Sequence, residues 1–390
     1  MASISLLPGA MSSGEFQVHV PERVEAIEHR HRRIVDFLKE QALDAALLTR
    51  PSSFAWLTGG GNNTRGDSSD VVAALFITAD ARVVLTRNAD SGRLFDREVG
   101  GLGFQLKERT WQEDRSVLMS DVVRGRGVAS DAPFDNCADY SLRFSGMRLP
   151  LETFEIRRLR TLGLELAHCV EATARSFNCG ETEADIAGQT AHRMLRRRIH
   201  PERIQVWGDG RGERYRHWGF DDDPVEQFCT ITAVGRREGL HLAVSRTMAF
   251  AGHEQRIRPA HLDTLLVQVT GMCFSRHDWE IYETWNRVER IYEKFGHTEE
   301  WHFADQGCVT GYELCEVPIV PKSEFRLQPG MPMIWQSSIG PAQCVDTIAV
   351  AKSGFELLTP TESWPKVNVN VKRLPVSRPD VLVRPASTPS

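Results

Sequence analysis

The stretch LQPGMPMIWQSSIGPAQCVDTIAVA, residues 327–351, decides the fold of the larger part of this chain. Its apolar runs predict two strands, at 332–336 and 347–351. Outward from it, the pattern stays strand-rich back to Cys229, with further strands predicted at 230–234, 241–250 and 264–270. One helix, predicted over 281–295, interrupts them. The pattern predicts an α+β domain with a curved, mainly antiparallel sheet and helices packed on one side.

The first part of the chain alternates between helical and strand patterns. Apolar residues at Val24, Ile27, Ile34 and Phe37 have helical spacing. Strands are predicted at 45–49, 54–57, 71–77 and 82–85. This rhythm predicts an α/β domain. Three glycines at 59–61 are not followed by the Lys-Ser/Thr pair of a phosphate-binding loop, so no nucleotide site is expected there.

The sequence predicts a flexible arm, two domains and a tail. The arm covers 1–20, the N-terminal α/β domain 21–149, the C-terminal domain 150–371 and the tail 372–390. A proline in LPLE marks the domain boundary, before a long amphipathic helix and a second helix capped by Thr182. The tail is rich in Pro and Ser and is expected to bury little apolar surface.

The composition is that of a globular protein without a nucleic-acid or membrane partner. Of 390 residues, 41% are hydrophobic and 25% are charged, with a formal net charge of -5. Nucleic acids and anionic lipids attract basic surfaces, so this balance argues against both. No segment has the length of a membrane span or the pattern of a signal peptide. The eight cysteines are scattered, which predicts buried thiols in the cytoplasm.

Five segments, in this order, resemble the creatinase and aminopeptidase P family, whose second domain has the pita-bread fold. They are PSSFAWLTGGGNN (51–63), IRRLRTLGLELAHCVEATARSFNCGETEADIA (156–187), FADQGCVTGYELCE (303–316), LQPGMPMIWQSSIG (327–340) and QCVDTIAV (343–350). The resemblance covers about residues 22–355. It implies an N-terminal creatinase-type domain followed by a pita-bread domain, and a homodimer with the pocket near the subunit interface.

The resemblance also implies where a metal pair should be held. Metal-dependent members of the family use two Asp, one His and two Glu, and these positions are expected on Gln268, Asp278, Asp305, Gln336 and Val345. A divalent metal pair needs several carboxylates and an imidazole. Two amides and a valine cannot supply them. We therefore expect no metal and no other cofactor.

Creatinase itself is a metal-free member, and GLHLAVSRT (239–247) is similar to the segment around its catalytic histidine. This implies His241 as proton donor or acceptor, with Arg246 binding substrate nearby. In RHDWEIYE, Asp278 and Glu280 are expected on one side of a strand, so that Glu280 serves as acid or base. The structural alternatives are a strand histidine bonded to a carbonyl and a solvated carboxylate pair.

Other candidates are expected in the same pocket. Asp305 stands at the ligand-histidine position, where it could orient His241 or hold a substrate ammonium group. The resemblance implies that the loop carrying Arg65 reaches into the pocket of the neighbouring subunit. There Arg65 is expected to bind a substrate carboxylate. Trp279 and Trp335 either stack on a planar ligand or belong to the core. The remaining substrate-binding candidates are His302, Gln306 and Gln336.

Two hypotheses of function follow from these residues. The first is a metal-independent enzyme that uses general acid/base catalysis on a C–N bond of a small amino-acid-derived substrate in specialised metabolism. The reaction would be hydrolysis or a Pictet-Spengler-type condensation of an aromatic amino acid. The second is a catalytically inactive peptidase homologue that binds a peptide or protein. Convergence of His241, Glu280 and Asp305 on one cavity favours the first, and separate ion pairs favour the second.

A third hypothesis is a divergent peptidase with a single ion. The ion would be held by Asp278, Asp305 and a histidine such as His277 or His302.

Overall fold

The computed structural model describes residues 21–66 and 68–386. The chain divides into two compact units, the first ending at Arg148 and the second beginning at Leu149. The predicted arm at 1–20 lies outside the described residues.

Both units contain helices and strands. The helices are α1 (Pro21–Glu40), α2 (Pro51–Thr58), α3 (Asn88–Arg93), α4 (Arg115–Val123), α5 (Ser141–Met147), α6 (Thr153–Ser176), α7 (Glu183–Leu195), α8 (Arg211–Arg214), α9 (Arg258–Phe274) and α10 (Ile281–Lys294). The strands of unit 1 are β1 (Ala45–Leu48), β2 (Ala73–Ile77), β3 (Arg82–Arg87), β4 (Gln105–Arg109), β5 (Val128–Ser130) and β6 (Ala138–Asp139). The strands of unit 2 are β7 (His200–Gly208), β8 (Phe228–Arg237), β9 (Leu240–Phe250), β10 (Gly307–Val309), β11 (Val317–Pro318), β12 (Pro332–Ile339), β13 (Ala342–Val350), β14 (Phe355–Leu357), β15 (Lys366–Val371), β16 (Leu374–Pro379) and β17 (Leu382–Arg384). None of the described helices is long and apolar enough to cross a membrane.

Unit 1 is an α/β domain built on a six-stranded sheet with the order β4-β3-β2-β1-β5-β6. The central strands β1, β2 and β3 pair antiparallel, and the outer pairs are parallel. Leu118 and Val122 of α4 pack on Leu47 and Leu85 of the sheet. The predicted α/β class of this part is confirmed.

One strand predicted in unit 1 is wrong. Residues 54–57 belong to α2, which begins at Pro51 and is closed by Gly59 at a φ of 64°. Proline suits the first turn of a helix and glycine suits a left-handed end residue. An apolar run of four residues cannot by itself distinguish a strand from a buried helix.

Unit 2 contains two main sheets. One is the antiparallel sheet β11-β10-β12-β13-β14, and the other has the order β17-β9-β8-β7. They are joined where the Thr347 hydroxyl accepts a hydrogen bond from the Ala243 amide at 2.9 Å. The predicted α+β domain with a mainly antiparallel sheet is confirmed.

Two further strand predictions in unit 2 are wrong. Residues 264–270 lie in α9, because the buried run continues to Phe274 and makes a helix of 17 residues, too long for a strand. Asp278 lies in a turn at a φ of 63°, and Glu280 is the N-cap of α10. Glu283, three residues on, completes a capping box with Glu280, and this pattern starts a helix.

The C-terminal segment, which we predicted to be a Pro- and Ser-rich tail over 372–390, forms paired strands over 374–384. Strand β16 pairs with β15, and β17 adds to β9 in parallel. Arg378 and Val381 are buried, the first beside the carboxylate of Asp346. Strand pairing and one buried ion pair therefore hold a segment whose composition predicted a tail with little buried apolar surface.

Strand β13 presents different residues to its two sides, as strand geometry requires. Gln343, Val345 and Thr347 contact β8 and β9. Cys344 and Asp346 face the other way, toward α9 and β16. In the antiparallel register Gln336 of β12 lies opposite Val345, so these two share a face.

The close approach of α6 to the chain at Leu358 gives a stability prediction. A Cβ on Gly163 would lie 1.8 Å from the carbonyl oxygen of Leu358. Gly163→Ala should therefore lower the free energy of unfolding by about 1–3 kcal/mol. Gly188→Ala on α7 is the matched control, because a Cβ there meets no atom within 4 Å and should be neutral or stabilising. Urea denaturation measures both, and equal midpoints would contradict the packing.

Candidate functional site

The centre of unit 2 lies on the shared face of Gln336 and Val345. Val345 packs in an apolar cluster with Ala243, Cys308 and Ile334. Gln336 is buried, and its side-chain oxygen accepts a hydrogen bond from Nη2 of Arg203 at 3.3 Å. The centre therefore combines aliphatic side chains, one thiol, one neutral amide and one guanidinium.

Arg203 reaches this centre from β7. The pairing of β7 with β8 shifts between Pro201 and Arg203, so Glu202 is an extra residue in a β-bulge. Burial lowers the pKa of Arg203, and Asp305 and Cys308 lie close enough to oppose that effect. Among the described residues no carboxylate forms an ion pair with Arg203, and its Nε has no hydrogen-bond partner. A buried donor of this kind is costly unless a ligand or water satisfies it.

His241 lies at the start of β9 and is buried. Its Nδ1 is 3.2 Å from the carbonyl oxygen of Gly311, and its Nε2 is 3.9 Å from a carboxylate oxygen of Glu202. Burial lowers the pKa of His241 to about 4, although Glu202 acts in the opposite direction. The imidazole is therefore neutral at pH 7. The sequence supported two interpretations of His241, a catalytic residue or a strand histidine bonded to a backbone carbonyl. The contact with Gly311 agrees with the second interpretation.

The other predicted carboxylates lie in separate environments. Glu280 caps α10 and forms an ion pair with Arg326. The Asp278 side chain is 75% exposed and lies 3.4 Å from Nε2 of His277. Asp305 is exposed and influences Arg203 electrostatically. Among the described residues, no hydrogen bond or ion pair joins Glu280 or Asp305 to His241, so the three predicted catalytic residues do not form one bonded set.

Gln306 and His302 flank Asp305 on the segment that enters β10. Gln306 is buried, with its side-chain oxygen accepting a hydrogen bond from the Tyr292 hydroxyl at 2.8 Å. Its backbone carbonyl accepts the amide of Gln336, so it supports the centre through the main chain. His302 is exposed and stacks on Trp301 at 3.6 Å.

The two tryptophans pack against protein. Trp335 is fully buried beneath α9 and donates from Nε1 to Ser275 at 3.0 Å. Trp279 lies 5.7 Å from the ring of Phe274. Gln268 of α9 donates to the Trp335 carbonyl from the side of β12 opposite Gln336. Gln268 belongs to helix α9, which packs on one side of the sheet, whereas the side chain of Gln336 lies on the other side. These two expected ligand positions therefore do not meet.

Both predicted substrate-binding arginines have carboxylate partners. Arg246 is fully buried and donates to Glu171 at 3.0 Å and to Asp346 at 3.2 Å. Arg65 belongs to unit 1, where it pairs with Asp90 at 2.8 Å and Asp70 at 3.1 Å. In these positions the two guanidinium groups act as structural ion-pair partners.

Comparisons with known proteins agree with this architecture. Residues 30–132 match the Creatinase/Prolidase N-terminal domain. The dipeptidase PepE from Mycobacterium ulcerans is similar in structure over 93% of this chain and 99% of its own, with 15% identity and a TM-score of 0.73. The Xaa-Pro dipeptidase from Bacillus anthracis is similar over 93% of this chain and 100% of its own, with 16% identity and a TM-score of 0.72. No curated protein sequence matches significantly.

The chain has the creatinase/prolidase fold. The resemblance inferred from sequence motifs is confirmed. The same fold occurs in the N-terminal domain of the FACT complex subunit SPT16 from Cicer arietinum, which covers 87% of this chain and 97% of its own, with 13% identity and a TM-score of 0.66. The fold is thus found both in peptidases and in a subunit of a larger complex.

The residues of this prolidase-fold chain do not fit a divalent metal pair. The neighbours of Val345 are Ala243, Cys308 and Ile334, and Gln336 is neutral. Within residues 21–66 and 68–386, no three His, Cys, Asp or Glu side chains are grouped as metal ligands. That observation also gives no support to a single ion held by Asp278 and Asp305. A metal pair needs several carboxylates at one point, and the described side chains around Val345 and Gln336 form no such group.

Sequence reasoning missed Glu202, Arg203 and Cys308. Pro201 was an available signal for Glu202 and Arg203, because proline within a strand marks an edge or a bulge. Cys308 lies inside the quoted segment FADQGCVTGYELCE. Its position in the centre depends on the register of β10 against β12, where it pairs with Ile334.

Burial of His241 gives a prediction for pH dependence. The pKa of His241 is lowered from 6.5 to about 4 in the folded protein. Between these values the unfolded chain binds a proton that the folded protein does not, so wild-type stability falls as the pH drops. The loss attributable to His241 is up to about 3 kcal/mol.

The His241→Gln variant should lose less stability than wild type over the same pH range. Urea denaturation at about pH 7 and about pH 4.5 measures the difference. His217→Gln, at an exposed histidine, is the control and should follow wild type. A His241→Gln variant as acid-sensitive as wild type would contradict the buried, neutral imidazole.

Proposed function

We propose that unit 2 binds a small, amino-acid-derived carboxylate without a metal, and that binding is its primary role. The observation that carries this proposal is Arg203, a largely buried guanidinium bonded to the neutral Gln336 and paired with no described carboxylate. A carboxylate ligand would supply the missing negative charge. Arginine is well suited to this because its planar donors match the two oxygens of a carboxylate.

The donors around Arg203 support a ligand of this chemistry. The Nε of Arg203 has no partner in the described structure, and its Nη2 donates to the side-chain oxygen of the Gln336 amide. Together the two side chains offer N–H groups at one place. The aliphatic surface of Val345, Ala243 and Ile334 adjoins them and suits a ligand with an apolar part.

Separation of the expected catalytic residues favours binding over catalysis. Glu280 pairs with Arg326, and His241 is held by a backbone carbonyl. An imidazole whose pKa is about 4 is a weak base at pH 7. The subunit of the FACT complex that shares this fold is a precedent for a prolidase fold outside the peptidases.

A second candidate function is metal-independent acid/base chemistry on a C–N bond, by hydrolysis or condensation. The observation that favours it is the approach of the buried His241 imidazole to Glu202, a residue open to solvent and adjacent in sequence to Arg203. Neutral His241 could accept a proton from water or from an amine, and Glu202 would stabilise the imidazolium that forms. No step in this route needs a metal ion.

Calorimetric titration with glycyl-L-proline, L-tryptophan and creatine, in the presence of EDTA, tests the binding proposal. At least one of these carboxylates should bind, and its carboxamide should bind at least about tenfold more weakly, because a hydrogen bond to a charged group contributes about 1.5–3 kcal/mol. Loss of binding in EDTA, or equal affinity for the carboxamide, would refute it.

Substitutions in the pair Arg203 and Gln336 locate the site. Arg203→Gln should weaken binding at least about tenfold. Gln336→Glu should also weaken it, since the new carboxylate would occupy the guanidinium itself. Arg290→Gln, at an exposed arginine of α10, is the control and should leave affinity unchanged. Wild-type affinity in both site variants would exclude this site.

Turnover separates the two candidate functions. The ligand that binds is incubated with protein in EDTA, and the mixture is analysed by mass spectrometry. Recovery of unchanged ligand supports a binding role. Conversion that persists in EDTA and is abolished by His241→Gln supports the acid/base enzyme.

A further inference from the structure

Cys308 and Cys315 form a close pair of thiols that the proposed function does not use. We expected all eight cysteines to be buried, and this is wrong for Cys315, which is exposed at the surface. Cys308 is buried in the centre of unit 2. One thiol of the pair is thus open to solvent and the other is protected.

The hairpin of β10 and β11 brings the two cysteines together. Val309 pairs with Val317 across the hairpin, and Cys308 pairs with Pro318. The Cys308 thiol donates to the carbonyl oxygen of Leu314 at 3.1 Å. That carbonyl belongs to the peptide bond with Cys315, so the sulfur lies within roughly 6 Å of the Cys315 Cα. The two thiols also interact directly with each other, so the sulfur atoms lie close enough for side-chain rotation to bring them together.

The two thiols differ in acidity. Interaction between the two thiols lowers the pKa of Cys315 and raises the pKa of Cys308. Burial and the carboxylates of Asp305, Glu313 and Glu316 act against the first effect. Thiolates are the reactive form of cysteine, so the exposed member of the pair is the one prepared for attack.

We propose that Cys308 and Cys315 are an oxidation site that reacts with a hydroperoxide and closes to an intramolecular disulfide. In the first step the Cys315 sulfur attacks one peroxide oxygen, the O–O bond breaks, and a sulfenic acid and water form when the peroxide is hydrogen peroxide. In the second step the Cys308 sulfur displaces the sulfenic hydroxyl, releasing a second water and forming the S–S bond. Two thiols are oxidised and one peroxide is reduced.

The remaining cysteines lack this combination. Burial raises the pKa of Cys137, Cys179 and Cys273, the partly exposed ones. Burial also raises the pKa values of the fully buried Cys169, Cys229 and Cys344. Oxidation by dilute peroxide should therefore be selective for the pair. This inference does not rest on the proposed ligand, because it concerns thiol chemistry that proceeds with the site empty.

Peptide mapping of the full chain after treatment with one equivalent of hydrogen peroxide tests the proposal. No lysine or arginine lies between the two cysteines, so trypsin releases both in one peptide, covering 295–322. Its mass should fall by about 2 Da when the disulfide forms. Glutamyl endopeptidase can cut at Glu313, between them, and the two fragments should stay joined until a reductant is added.

Three serine variants provide the controls. Cys315→Ser should slow thiol loss in the pair at least about tenfold. Cys308→Ser should leave a sulfenic acid on residue 315 that dimedone traps, with no cross-link. Cys179→Ser, at another partly exposed cysteine, should behave as wild type. Unchanged thiol loss in Cys315→Ser, or overoxidation of Cys315 in wild type without a cross-link, would overturn the proposal.

Discussion

Unit 2 depends on a buried network of two arginines and two carboxylates. Arg246 of β9 donates to Glu171 of α6 and to Asp346 of β13, and Asp346 also accepts from Arg378 of β16. The four charges balance, and they connect one long helix with strands from three different pairings. Removing one partner from such a network commonly costs about 3–5 kcal/mol, because the remaining charge stays buried without compensation. The network holds the C-terminal strands to the rest of the unit.

The position of this network also explains the character of the centre. Strand β13 directs Asp346 toward Arg246 and Arg378, and alternation then directs Val345 to the opposite side. On that side the described neighbours are aliphatic or neutral, and Arg203 contributes the positive charge. The carboxylate of Asp346 on this strand thus stabilises the fold, and its side chain lies on the side of β13 away from Val345 and Gln336. This arrangement suits recognition of an anion, and it lacks the carboxylates that a metal pair would require.

Much of the architecture could be predicted from the sequence. The class of both units, the helix α10 and the family resemblance followed from periodicity and from motif order. Residues 264–270 were misassigned, because a short apolar run is compatible with a strand and with a buried helix. Because of that error, Gln268 was expected among the metal ligands, although it lies on the side of the sheet opposite Gln336. The C-terminal strands were missed because their composition resembles a tail, and a buried partner for Arg378 cannot be seen in local sequence.

The sequence by itself determined that Gln336 and Val345 carry no carboxylate, the group that a metal pair needs at several positions. It also determined the caps and turns that start α7 and α10, since those depend on residues a few positions apart. The tertiary structure decided which side chains meet. Arg203 of the bulge in β7 bonds to Gln336, whereas His241 and Glu280 have different partners. Contacts between residues distant in sequence follow from strand register and from burial.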